Sequence, residues 1–217
     1  APFNFSHVLD GEKSLEEIIV EGPFGVKLVP GASGIQHMAS LNEKQTASII
    51  SAFSELESDI DYLIVDMAAG LSDSVMTFLC ACQRRYIVLK NEPSSIADAY
   101  ATIKVMLQDY GLDNIWLIPN AVTSQPDGIR LSKNINTVVK NFLGGQVNYL
   151  HSITTDEMVL RATKSSKCLL DFAPSSNATR DFKELAKIID SQGPDIGISG
   201  GLQFFLERIV ADQVKVG

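Results

Sequence analysis

The segment Asp61-Tyr62-Leu63-Ile64-Val65-Asp66 constrains the fold most. Its apolar residues run on without alternation, which suits a strand covered on both faces, as in a parallel sheet with helices above and below it. A strand over residues 62–65 is therefore expected, ending at Asp66 and broken by Met67-Ala68-Ala69-Gly70. The flanking sequence keeps the same rhythm. Residues 72–83 have helical spacing, 85–90 suit a strand, and Ser94 or Ser95 caps a helix that runs to Tyr110 ahead of Gly111. A strand at 115–118, a helix around 129–142, a strand at 147–151 and helices near 156–163 and 176–189 follow. Upstream, Ser14-Leu15-Glu16-Glu17 is a capping-box pattern for a short helix ending before Gly22-Pro23. A strand at 25–30 and an amphipathic surface helix over 41–56 complete the series.

Strands alternating with helices imply right-handed crossovers and a mainly parallel sheet with helices on both faces. Such sheets bind ligands beyond the carboxyl ends of their strands. Asp66, Lys90, Asn120 and the loop from His151 to Asp156 all fall at those ends. A carboxylate after an apolar strand holds Mg²⁺ or its water shell, and a glycine soon after it lets backbone N–H groups approach a phosphate. An aspartate that merely caps the following helix gives the same local pattern. Asn120 has a parallel ambiguity, since a turn after Pro119 also favours asparagine.

The composition narrows the function classes. With 45% hydrophobic and 20% charged residues the 217-residue chain is an ordinary globular one. A formal charge of −8 disfavours direct nucleic-acid binding, which needs clustered Lys and Arg. Cys80, Cys82 and Cys168 have no zinc spacing and suit free thiols in a reducing compartment. No signal-peptide pattern or membrane-spanning run is evident, so a cytoplasmic location is expected.

Several stretches, in order, resemble the MinD/ParA class of deviant Walker ATPases, and within it the flagellar-number branch called FlhG or FleN. They are residues 4–12 (NFSHVLDGE), 18–23 (IIVEGP), 29–36 (VPGASGIQ), 62–74 (YLIVDMAAGLSDS) and 91–101 (NEPSSIADAYA). The resemblance implies an α/β, P-loop-NTPase-like fold of the SIMIBI or MinD type. It makes Asp66 the switch aspartate that holds Mg²⁺ through water, and Gly70 the glycine that senses the γ-phosphate. Asn120 would hydrogen-bond adenine, with Asp156 beside it. The family's Ile-Pro-x-Asp loop corresponds here to Ile153-Thr154-Thr155-Asp156, with Thr154 in place of proline. ATP and Mg²⁺ are the implied cofactors. The implied partners are a second copy of the chain, an FlhF-type GTPase, a flagellar transcription activator and the inner face of the cell membrane.

A P-loop needs a lysine on the β/γ-phosphates and a Ser or Thr on Mg²⁺, yet no Gly-Lys-Ser/Thr occurs in the sequence. By the resemblance that loop and the catalytic aspartate are expected ahead of Ala1, so the chain is expected to be N-terminally truncated, to carry no catalytic residue and not to bind nucleotide tightly by itself. The expected domains are a switch domain over 1–191, a glycine-rich linker over 192–201 and an amphipathic helix over 202–217. Leu202, Phe205, Leu206, Ile209 and Val210 line the apolar face of that helix. The resemblance makes it a membrane-targeting element; packing on its own domain is the other reading. A nonenzymatic interaction module is the alternative to an ATP-dependent switch.

Overall fold

The computed structural model describes residues 3–31, 41–56, 60–68, 70–193 and 204–205. The chain packs as two compact units, one formed by Ala1–Gln83 with Ile196–Gly217 and the other by Arg84–Asp195. The division therefore falls at Gln83, inside the expected 1–191 domain.

In the first unit, helix α1 (Phe5–Leu9) is capped by Asn4, and α2 (Leu15–Ile18) carries the expected capping box, in which Ser14 and Glu17 each accept the other's backbone N–H. Strands β1 (Val20–Glu21) and β2 (Lys27–Leu28) form a short antiparallel hairpin around a 3₁₀ turn at Pro23–Gly25. The strand expected over 25–30 is thus shortened by that turn. Helix α3 (Glu43–Ser54) has the box Asn42/Gln45 and packs on α4 (Asp73–Ala81). Ile49, Ile50 and Phe53 of α3 meet Phe78 and Ala81 of α4 in one apolar core. Phe204 closes this core at 2% exposure. It lies parallel to the Phe78 ring at 6.2 Å and edge-on to Phe53 at 5.4 Å, and its N–H donates to Ala81 O.

The second unit is a parallel sheet flanked by helices. Strands β3 (Arg85–Leu89), β4 (Ile115–Val122) and β5 (Asn148–Tyr149) lie side by side, and β6 (Ile153–Thr154) pairs with the far end of β4. Helices α5 (Pro93–Gln108) and α6 (Gln125–Leu143) pack on β3 and β4 respectively and on each other. Along β4, Ile115 and Leu117 are fully buried, while Trp116 and Ile118 on the alternate face pack with Leu185, Ile188 and Ile189 of α9 (Asn177–Ser191). Helices α7 (Glu157–Lys164) and α8 (Leu169–Phe172) lie between β6 and α9 in the chain. The strand expected at 147–151 is shortened to β5, the further short strand β6 follows in what was expected to be loop, and β4 runs on to Val122.

Two expectations change. Residues 62–65 take no strand pairing among the described residues. Leu63, Val65 and Met67 pack on the core of their unit, whereas Ile64 is 88% exposed. The run is thus covered on one face only, because no described strand or helix lies over the other. The α5 cap is Glu92 with Pro93 in the first turn rather than Ser94 or Ser95, and the Ser95 hydroxyl instead accepts the N–H of Lys90 at 3.0 Å.

Candidate functional site

The carboxyl end of β4 is where the second unit brings its expected site residues together. Asn120 pairs with Ile153 and Val122 with Thr154, and the register shifts between them at Ala121, whose φ is 54°. This irregularity lies near the end of the strand, where the pairing puts the 153–156 loop beside Asn120. The Asn120 side chain is half-exposed and forms no hydrogen bond with the described residues. An amide with an open donor and an open acceptor at a strand end has what is needed to read a purine edge.

The chain turns after Thr123 into α6, with Ser124 as its cap. Asp127 accepts hydrogen bonds from the hydroxyls of Thr123 and Ser124 and an ion pair from Arg130, and these hold its carboxyl below the ordinary value, Thr123 contributing most. One residue further, Gly128 lets the helix approach the loop. A Cβ there would stand 1.9 Å from Ser152 Oγ, 2.8 Å from Ser152 Cβ and 3.3 Å from Pro119 Cβ. Only glycine permits that spacing.

Asp156 is the cap of α7. Its Oδ1 accepts Met158 N–H at 2.9 Å and its Oδ2 accepts Ala178 N–H at 3.1 Å, so one carboxylate joins the starts of α7 and α9. These backbone bonds, Met158 first, hold its carboxyl below the ordinary value. With both oxygens engaged, Asp156 shapes the loop.

In the first unit, Asp66 is exposed and its carboxylate has no hydrogen bond or ion pair among the described residues. Gly70 has φ 124°, a backbone region that residues with a Cβ rarely enter. Ser72 then caps α4. No group of three or more His, Cys, Asp or Glu among the described residues is arranged to hold a metal. A lone open carboxylate fits Mg²⁺ that is shared with phosphate oxygens and water, and not a metal bound by protein alone.

Of the residues expected to target a membrane, Leu202, Leu206, Ile209 and Val210 lie outside the described residues. Phe205 packs on the first unit's core, 6.5 Å from the Phe53 ring, with φ 57°. Apart from Phe204 and Phe205, the helix expected over 202–217 lies outside the described residues. No helix among the described residues is long and apolar enough to cross a membrane.

Sequence reading missed Gln125, Gly128, Tyr149, Ser152 and Asp181, all of which fasten the loop. Two of them leave a signal. Gly128 interrupts a helical pattern, and Asp181 stands on the apolar stripe Ala178, Leu185, Ile188 of α9.

No family profile matches the chain. It is 37% identical over 203 residues to the antiactivator FleN of Pseudomonas aeruginosa, a match that spans 94% of this chain and 72% of FleN. It is 30% identical over 211 residues to the flagellum site-determining protein YlxH of Helicobacter pylori, spanning 95% and 71% of the two chains. Among solved structures, the septum site-determining protein MinD of Pyrococcus horikoshii with Mg-ADP superposes with a TM-score of 0.67 at 21% identity, covering 88% of this chain and 74% of that one. A chain of the MinC:MinD cell division protein complex of Aquifex aeolicus gives the same TM-score at 17% identity, covering 91% of this chain and 76% of that one. These structural likenesses carry the fold.

Proposed function

Since the chain belongs to the FleN/FlhG branch of the MinD/ParA-type proteins, we propose that it serves an ATP-dependent switch that regulates flagellar number or placement. The open amide of Asn120, set beside the 153–156 loop by the β4–β6 pairing, carries this reading. In it Asn120 donates to and accepts from the adenine edge, and Asp156 keeps the adjoining loop in shape. Asp66 orients the water shell of Mg²⁺, and the glycine backbone at Gly70 takes up the presence or absence of the γ-phosphate. Mg-ATP, when bound, supplies the charged γ-phosphate whose loss resets the switch.

The lysine for the phosphates has to come from outside these 217 residues, which contain no Gly-Lys-Ser/Thr. The same fact favours the second reading, a nonenzymatic interaction module. In the switch reading, ATP-driven dimerisation couples to docking on the inner membrane face and on an FlhF-type GTPase or a flagellar transcription activator. Sedimentation of the protein encoded by the full reading frame tests the switch: a dimer with Mg-ATP and a monomer with Mg-ADP is expected, and the same state with both nucleotides refutes it. For the membrane role, Ile209→Glu is the informative variant, because Phe205 already packs on Phe53. Co-sedimentation with anionic liposomes should fall; unchanged binding refutes that role.

A further inference from the structure

Thr154 pairs with Val122 in the β4–β6 ladder, but the ladder bond there is donated by the next residue, Thr155 N–H to Val122 O at 2.8 Å. Successive N–H groups of a strand point to opposite sides. The N–H of Thr154 therefore faces away from β4, and Asp181 of α9 takes it. Asp181 Oδ2 accepts Thr154 N–H at 2.8 Å and the Thr154 hydroxyl at 2.5 Å. Its Oδ1 accepts Gln125 Nε2–H at 2.9 Å, and His151 Nε2 lies 3.8 Å away. Gln125 also donates to Ser152 O at 2.8 Å and accepts the Tyr149 hydroxyl at 3.0 Å.

The Asp181 side chain is only 15% exposed and stands among apolar residues of α9. A carboxylate in that position is costly unless its lone pairs are taken. Here three donors from the β4–α6 turn and the loop converge on it, so its placement on the apolar stripe is matched by the loop it grips.

We infer that Asp181 is a positioning residue for the base-binding loop, holding residues 151–154 from the α9 side while β4 holds them from the other. The inference rests on the adenine reading given above. It has a definite chemical signature. The one backbone donor that proline at position 154 would remove is the donor spent on Asp181, and the proline ring would fix φ in its place. Proline at 154 with alanine at 181 is then self-consistent at the Thr154 pair, with only one Gln125 Nε2–H left without its carboxylate. Either change alone is not, because it strands an acceptor or a donor.

The test compares the protein encoded by the full reading frame with its T154P, D181A, T154P/D181A and D181N variants. Two signals are followed by NMR: amide exchange at Thr155, and the side-chain amide of Asn120 during titration with Mg-ATP. Each of T154P and D181A is expected to speed Thr155 exchange roughly tenfold, as loss of a half-buried hydrogen bond does. The double variant should return close to the parent rate, and D181N, which keeps one acceptor, should fall between. Where D181A does not fold, recovery of folding in the double variant is the same result. Single effects that multiply in the double variant, or a D181A rate equal to the parent's, overturn the inference. The ATP-induced shift at Asn120 should weaken in D181A and return in the double variant, which a merely structural contact would not produce. If the parent chain shows no such shift, the nucleotide reading fails, and the exchange cycle still decides the role of Asp181.

Discussion

Replacing Gly128 by alanine tests the packing on which the loop depends. The added methyl would stand 1.9 Å from Ser152 Oγ and 2.8 Å from Ser152 Cβ, and Ser152 is fully buried, so the serine has no free space to move into. Overpacking of this kind costs roughly 1–3 kcal/mol. Displacing Ser152 also forfeits its 3.1 Å contact with the Tyr149 hydroxyl, worth about 1 kcal/mol. Against this, alanine is favoured over glycine inside a helix by about 1 kcal/mol. The net loss is then about 1–3 kcal/mol, which lowers a urea midpoint by about 1 M at the slopes usual for small domains. The protein has one tryptophan, Trp116, in β4 of the same unit, and its fluorescence reports the transition directly. A variant as stable as the parent, or more stable, would refute the packing argument, since helix propensity alone predicts that sign.

Two further outcomes follow from other residues. Phe204→Ala removes a ring held between Phe78 and Phe53 and should destabilise the first unit by about 3–5 kcal/mol, seen as faster amide exchange at Ile49 and Ile50; unchanged exchange would contradict the packing. Asp156 has a folded-state pKa held below its ordinary 3.8, so its stabilising contribution is complete above that value and is lost as pH falls through the lowered folded value. Asp156→Asn should therefore flatten the fall in stability on acidification in that window; a curve with the parent's slope would show that the carboxylate's bonds to Met158 and Ala178 do not matter.

The sequence pattern carried the β-α rhythm of residues 85–191 well where a helix has an apolar stripe and a side-chain cap, such as Ser124 or Ser176, that physical rules recognise, whereas the four-residue α8 has no side-chain cap and was not expected. It failed where structure depends on partners distant in the chain. The run 62–65 is apolar enough for a doubly covered strand, yet Ile64 stays open because cover is a tertiary property that the run itself does not encode. In the site, Asn120 and the 153–156 loop were identifiable as strand-end features. Asp181 was not, since its meaning depends on Thr154, a neighbour only in space.

The central claim is that Asn120 reads adenine for a nucleotide switch. Calorimetry of Mg-ATP and Mg-GTP binding to the protein encoded by the full reading frame, with Asn120 intact and as Asn120→Ala, tests it most directly. The account predicts that the substitution weakens Mg-ATP binding by roughly tenfold or more and removes the preference over Mg-GTP. Binding of equal strength with the same preference would contradict it.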